Sequence, residues 1–145
     1  MKIKSIFLLL FGVLILSANS IVKGQTANLT INVSGLKEIK GGIQLGLYNE
    51  SASFPKPEYE FMVISILADS SSVTYTIPEL PVGEYAIALY HDINSDKACN
   101  KNWIGIPTEA YGFSNNVRVI FSAPSFEKTK FSLIEDSAIN VKLKH

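Results

Sequence analysis

The stretch VTYTIPELPVGEYAIALY, residues 73–90, decides the fold. Val73, Tyr75 and Ile77 alternate with Thr74 and Thr76, and Tyr85, Ile87 and Leu89 alternate with Ala86, Ala88 and Tyr90. Side chains of a strand point to opposite faces in turn, so each run buries one row and wets the other. Between the runs, Pro81 fixes φ and Gly83 tolerates positive φ, which is turn chemistry. Tyr85 follows that corner directly, placed to bury its ring and donate its hydroxyl to the backbone, as in the tyrosine corner of sandwich folds.

The same alternation recurs outward along the chain. Leu29, Ile31 and Val33 show it, as do Ile43, Leu45 and Leu47 after the Gly41-Gly42 turn. Later come Val117, Val119 and Phe121, then Phe131 and Leu133, then Ile139, Val141 and Leu143. The apolar stretch 61–67 is read as a strand rather than a short buried helix, because Val63, Ile64 and Ile66 are β-branched. That makes about eight strands, and no run has the three-four spacing of an amphipathic helix. One sheet would leave a broad apolar face in water, whereas two packed sheets hide both rows. The expectation is an all-β sandwich of about 7–8 antiparallel strands. Phe54-Pro55-Lys56-Pro57 is an irregular loop, since two prolines so close cannot share a central strand. With no repeat, low-complexity tract or linker, residues 27–144 form a single domain.

Composition agrees. The chain has 145 residues, 47% hydrophobic and 18% charged, enough for one core and too apolar for disorder. Thirteen basic residues balance thirteen acidic ones, so no nucleic-acid partner is expected. A lone cysteine, Cys99, excludes an internal disulfide framework and a multi-cysteine zinc site.

Residues 1–20 read as a signal peptide. Lys2 and Lys4 precede an apolar or glycine run over 6–16, which fits the roughly 7–15 residues of a signal core and falls short of the roughly 18 needed for a span. Ala18-Asn19-Ser20 favours cleavage after Ser20, with cleavage after Gly24 as the second site. The mature protein is then slightly acidic, exported to the periplasm or secreted, and without a stable membrane span.

From His91 to Asn116 the alternation stops: HDINSDKACNKNWIGIPTEAYGFSNN. So long a loop in a small domain is often functional. Trp103, Ile104, Ile106, Tyr111 and Phe113 supply apolar surface able to pack back on the sandwich, so the loop should be ordered. Asp92, Asn94, Asp96, Asn100 and Asn102 place oxygens at near-alternate positions, as calcium requires. Against a helix-loop-helix calcium loop starting at Asp92, positions one, three, five and nine are acceptable. Lys97, however, stands where glycine belongs, and Trp103 stands where a bidentate glutamate belongs. Calcium is the one cofactor the spacing suggests, with Asp92, Asn94, Asp96 and Asn100 as ligands and Glu109 as a candidate replacement carboxylate. The competing reading is that Asp and Asn are turn formers.

No catalytic constellation stands out. His91 is the only histidine before the C-terminal residue, its neighbour Asp92 would point to the opposite face, and Ser114 has no evident route to it. Trp103, Tyr111 and Phe113 could form a ligand platform or plug the open end of the sandwich. Candidate ligand or partner contacts are therefore His91, Trp103, Glu109, Tyr111, Phe113 and Asn115.

Several of these residues lie in a recognisable pattern. His91-Asp92-Ile93-Asn94, Gly105-Ile106-Pro107-Thr108-Glu109 and Tyr111-Gly112-Phe113-Ser114-Asn115-Asn116 resemble the signature of the bacterial domain-of-unknown-function family 2141. Ala123-Pro124-Ser125-Phe126 and the Gly83-Tyr85 corner resemble it too, and the likeness runs over about 27–144. It implies an exported bacterial protein with an immunoglobulin-like or transthyretin-like sandwich, and no established activity, substrate or catalytic residue. Family members often carry glycine at the Lys97 position and an acid near Asn100, so this chain departs from the calcium-like version. The pattern gives Gly105, Pro107, Gly112 and Phe113 the role of locking the loop into one shape.

The leading functional expectation is a non-catalytic module that binds a protein or small ligand outside the cytoplasm through the 91–116 loop. A calcium-stabilised structural domain comes second, and an enzyme of unknown substrate using His91 comes third.

Overall fold

The computed structural model describes residues 24–119 and 122–145. The signal segment expected over 1–20 lies outside the described residues. Eight strands follow in order: β1 (Thr26–Ser34), β2 (Gly42–Tyr48), β3 (Met62–Leu67), β4 (Ser72–Pro81), β5 (Gly83–Asp92), β6 (Tyr111–Phe113), β7 (Phe131–Leu133) and β8 (Ser137–Lys142). One short helix, α1 (Phe126–Thr129), precedes β7. The described residues are all-β but for short helical turns, and the stretch 61–67 supplies strand β3 (Met62–Leu67), as its β-branched residues favour.

Two open sheets share the strands. In the first, β1 lies between β4 and β8; in the second the order is β3-β2-β5-β6, with β7 paired to the start of β5. The alternating rows meet between the sheets. Leu29, Ile31 and Val33 of β1 face Ile43, Leu45 and Leu47 of β2 and Ile87 and Leu89 of β5 in one buried cluster. Each such aliphatic side chain contributes on the order of 1.5–3 kcal/mol by leaving water. Tyr75 keeps the inward phase of its strand, opposite Ile31, yet is exposed because β4 is an edge. A second, smaller cluster of Tyr48, Phe54, Ala86 and Phe126 covers part of the outer face of the second sheet. The tyrosine corner is present: Tyr85 is buried and its hydroxyl donates to the Pro81 carbonyl at 2.7 Å.

Two expectations are corrected. The strands are not all antiparallel, because β8 runs parallel to β1, from Leu29 opposite Ser137 to Ser34 opposite Lys142. Asp136 fixes the direction: its carboxylate accepts the backbone N–H of Asn28 at 2.7 Å and the Asn28 amide at 3.0 Å, so β8 starts beside the start of β1. Nor is there a strand over 117–119, while residues 120 and 121 lie outside the described residues. Asn115 and Asn116 turn the chain at φ +60° and +51°. The Asn116 side chain then donates to the Asn140 carbonyl (2.9 Å) and accepts the Lys142 N–H (2.7 Å), occupying the β8 edge with an amide instead of a strand.

The long loop is also shorter at both ends than the alternation suggested. His91 and Asp92 complete β5, and Tyr111–Phe113 form β6 against Tyr90, Leu89 and Ala88. The irregular part is 93–110.

Candidate functional site

The loop is built from its base upward by two carboxylates. Asp92, buried at the end of β5, accepts the backbone N–H of Asp96 on Oδ1 (3.1 Å) and that of Lys97 on Oδ2 (2.9 Å). Glu109, buried where the chain returns, accepts the N–H of Ile93 (3.2 Å) and of Asn100 (3.0 Å) on its two oxygens. Four backbone donors of the loop are thus met by charge, and such bonds are among the stronger ones.

Asp96 is the centre of a second layer. Its Oδ1 accepts the N–H of Ala98 (2.9 Å), and its Oδ2 accepts the amides of Asn94 (2.9 Å) and Asn100 (3.0 Å). These bonds, first that from Asn100 and then that from Ala98, hold its carboxyl below the ordinary carboxylate range. The proposed metal ligands Asp92, Asn94, Asp96 and Asn100 are therefore brought into one network, with side-chain oxygens turned to N–H donors in the manner of turn-forming residues. Among the described residues, no group of three or more His, Cys, Asp or Glu side chains stands close enough to hold a metal ion. The charges around Tyr90 act on its phenol: burial, then Asp92, Cys99, Glu109 and Asp96 push its pKa up to about 12. The half-buried Cys99 thiol is raised as well, by burial and then by Glu109, which disfavours the nucleophilic thiolate.

Above this base the chain makes a finger. Lys101 and Pro107 form an antiparallel bridge, Asn102 N–H donates to the Ile106 carbonyl (2.9 Å), and Gly105 N–H donates to the Asn102 carbonyl (2.9 Å). The Asn102 side chain accepts both Ile104 N–H (3.1 Å) and Ile106 N–H (3.0 Å), tying the turn from inside. Gly105 takes φ +82°, a conformation that favours glycine. Trp103 and Ile104 are the central residues of this turn, so their side chains have nothing beneath them. Trp103 is 95% exposed, Ile104 56% and Ile106 54%. The expectation of packing back on the sandwich is corrected for Trp103, Ile104 and Ile106, and so is the plug role for Trp103, whereas Phe113 packs against the cluster of Tyr48, Phe54 and Phe126. The Asp92 and Glu109 bonds hold the base of the loop, while the tip residues stay in water.

The remaining candidates belong to the frame. His91 is 1% exposed, and its Nε2 donates to the Lys40 carbonyl at 2.8 Å, since a carbonyl can only accept. Ser114, also 1% exposed, lies away from His91: it accepts Ile87 N–H (2.9 Å) and donates to the Thr129 carbonyl (2.6 Å). It fills the gap along β5 between β7 and β6, where no strand is present to receive that N–H. Asn115 donates to the carbonyls of Lys128 (3.2 Å) and Lys130 (2.9 Å), closing the end of α1. Tyr111 and Phe113 contact each other with centroids 6.0 Å apart, and Phe113 reaches Phe54. Trp103 is not with them: the strand aromatics and the fingertip are separate features. Gly112 allows β6 to approach β8, because a Cβ there would stand 2.7 Å from Val141 Cγ1. Sequence reasoning did not single out Ile104 and Ile106 as exposed partners of Trp103. The available signal was Asn102 and Gly105 spaced as the ends of a four-residue turn, with large apolar residues inside it.

This frame and finger define an all-β protein of two sheets that displays a fixed hairpin from one end. A family model described as an uncharacterized protein conserved in bacteria matches residues 31–142, and the chain belongs to that family, domain-of-unknown-function family 2141. No curated protein and no solved structure matches the chain.

Proposed function

We propose that the protein is an exported, non-catalytic interaction module acting in the periplasm or outside the cell, with the finger of the 91–116 loop as its working surface. The observation that carries this reading is the exposure of Trp103, Ile104 and Ile106 together at the tip of a hydrogen-bonded turn. Single exposed apolar side chains are ordinary, but three large ones within four residues of one hydrogen-bonded turn mark a contact site. Support comes also from the economy of the base, where Asp92 and Glu109 spend their charge on backbone N–H groups and so fix the tip before any partner arrives. We read the frame as a sandwich of the immunoglobulin-like or transthyretin-like kind, on the strength of its two sheets, common core and tyrosine corner.

A photo-crosslinking residue placed at Ile104, and another at the distant Glu135, tests the reading in producing cells. Adducts at 104 and none at 135 are expected. No adduct at 104, or equal adducts at both positions, would overturn it.

A further inference from the structure

The edge of the second sheet at β3 stands open. On the opposite side of the sandwich, Tyr111 and Lys144 exchange backbone bonds at 3.0 and 2.7 Å and tie β6 to the chain just after β8. The edge of the first sheet that touches β3 is β4, which carries Pro78 and Pro81 and takes φ +50° at Glu79. By contrast β3, Met62-Val63-Ile64-Ser65-Ile66-Leu67, has no charge, no proline and no register shift against β2. Such features are what blunt an edge, and a strand without them is a template for another strand. The ladder shows which of its backbone groups are free. Ala68 N–H donates to the Gly41 carbonyl at 3.2 Å, in line with the register that sets Gly42 opposite Leu67. Bonded and non-bonded pairs alternate in an antiparallel ladder, so Met62, Ile64 and Ile66 bond β2 while Val63, Ser65 and Leu67 turn N–H and C=O outward. Among the described residues no strand or side chain takes these groups up. The side chains of the same three residues are exposed, Val63 by 61% and Leu67 by 73%.

We propose that β3 pairs antiparallel with β3 of a second copy of this chain, about a two-fold axis at Ser65, so that two sheets join into one. A two-fold contact uses the same patch on both subunits, and each residue must suit its symmetry mate. This edge does so. Outward groups can bond only outward groups, so Ser65 faces Ser65 of the other copy and Val63 faces its Leu67, each pair exchanging both N–H···O bonds. Any other register leaves an outward residue of the strand without its mate. The row apolar, small, apolar reads alike in both directions, and Val63 meets Leu67 twice on the outer face. Between them Ile64 meets Ile66 of the other copy on the inner face, where both already join the core cluster. Charge fits as well. Continued past the strand ends, the register sets Glu60 opposite Ser70 and Asp69 opposite Phe61, so no carboxylate faces another. A strand of another protein would have to be matched to this row, whereas a second copy matches it by symmetry. The pairing stands apart from the finger and holds whether or not the finger has a partner.

Sedimentation of the purified protein over a dilution series tests the pairing. The sedimenting mass should double as concentration rises and grow no further, because each copy has a single such edge to give. Val63→Lys/Leu67→Lys sets lysine against lysine across the axis and should hold the protein at single-chain mass. Val63→Lys/Leu67→Glu sets lysine against glutamate and should restore the doubling. Both positions are exposed, so neither variant disturbs the core. Hydrogen exchange gives a reading that needs no variant: the amides of Val63, Ser65 and Leu67 should slow as concentration rises, while that of Trp103 at the fingertip keeps its rate. A single-chain mass still at about 1 mM protein, the weak end of association, would overturn the proposal and leave the edge to a strand of another protein. A dimer that survives the paired lysines, a lysine–glutamate variant that stays single, growth beyond two chains, or exchange at 63, 65 and 67 that ignores concentration would each overturn it too.

Discussion

Lys97 donates its backbone N–H to Asp92 Oδ2 at 2.9 Å, and it does so from φ +60°, in the left-handed region that favours glycine. The backbone thus adopts at this position the turn that a calcium loop assigns to glycine, although the residue is a lysine. Holding an L-residue there costs roughly 1–2 kcal/mol, and the bond to a buried carboxylate compensates.

Lys97→Gly should accordingly stabilise the protein, relieving that strain while losing roughly 0.5–1 kcal/mol to the greater freedom of the unfolded chain. A net gain of about 0.5–1 kcal/mol in denaturant unfolding is expected. A loss would show that the lysine side chain contributes more than its backbone costs.

Calcium should leave the melting midpoint where a chelator leaves it. Both oxygens of Asp92 and both of Asp96 already receive N–H donors. A bound cation at a hundredfold excess over its Kd would add about 2.7 kcal/mol, a change readily seen by calorimetry. Such a change would restore the calcium-stabilised reading.

Acid should loosen the loop before the frame. The Asp96 carboxyl titrates below its ordinary range because of Asn100 and Ala98. A lowered folded pKa means the stabilisation is present above the unfolded value, near pH 4, and is lost as pH falls through the folded value. Hydrogen exchange at Ala98, corrected for its intrinsic rate, should accelerate below about pH 4. Asp96→Asn should remove that step, leaving the exchange of β1 and β2 amides as before.

Ser114→Ala should cost about 1–3 kcal/mol, because Ile87 N–H would be left buried without an acceptor. Chemical denaturation gives the size, and faster exchange at Ile87 would place the effect. Unchanged stability would mean another acceptor takes over the gap along β5.

Leu45→Ala and Trp103→Ala should lie at opposite extremes. Leu45 is wholly buried between the sheets, so its truncation should cost about 2–5 kcal/mol. Trp103 meets almost only water, and its removal should change stability by no more than about 0.5 kcal/mol. Equal losses would mean that the tip packs against the frame.

What the sequence by itself determined was which row of β1, β2 and β5 faces the other sheet. Alternation at Leu29–Ile31–Val33, Ile43–Leu45–Leu47 and Tyr85–Ile87–Leu89 states that directly, because side-chain direction depends only on position along a strand. It also determined that Asp92, Asn94, Asp96 and Asn100 act in one place, since turn-forming side chains bond their near neighbours. Tertiary structure alone decided that β8 lies parallel to β1, that Ser114 completes the edge of β5, and that 117–119 stays out of the sheets. Those outcomes depend on partners about thirty to more than a hundred residues away, such as Asn28 for Asp136 and Ile87 for Ser114, and no local pattern carries them. The fate of Trp103, Ile104 and Ile106 was of the same kind: apolar composition is local, but whether an apolar side chain finds a surface depends on where Asp92 and Glu109 aim the loop.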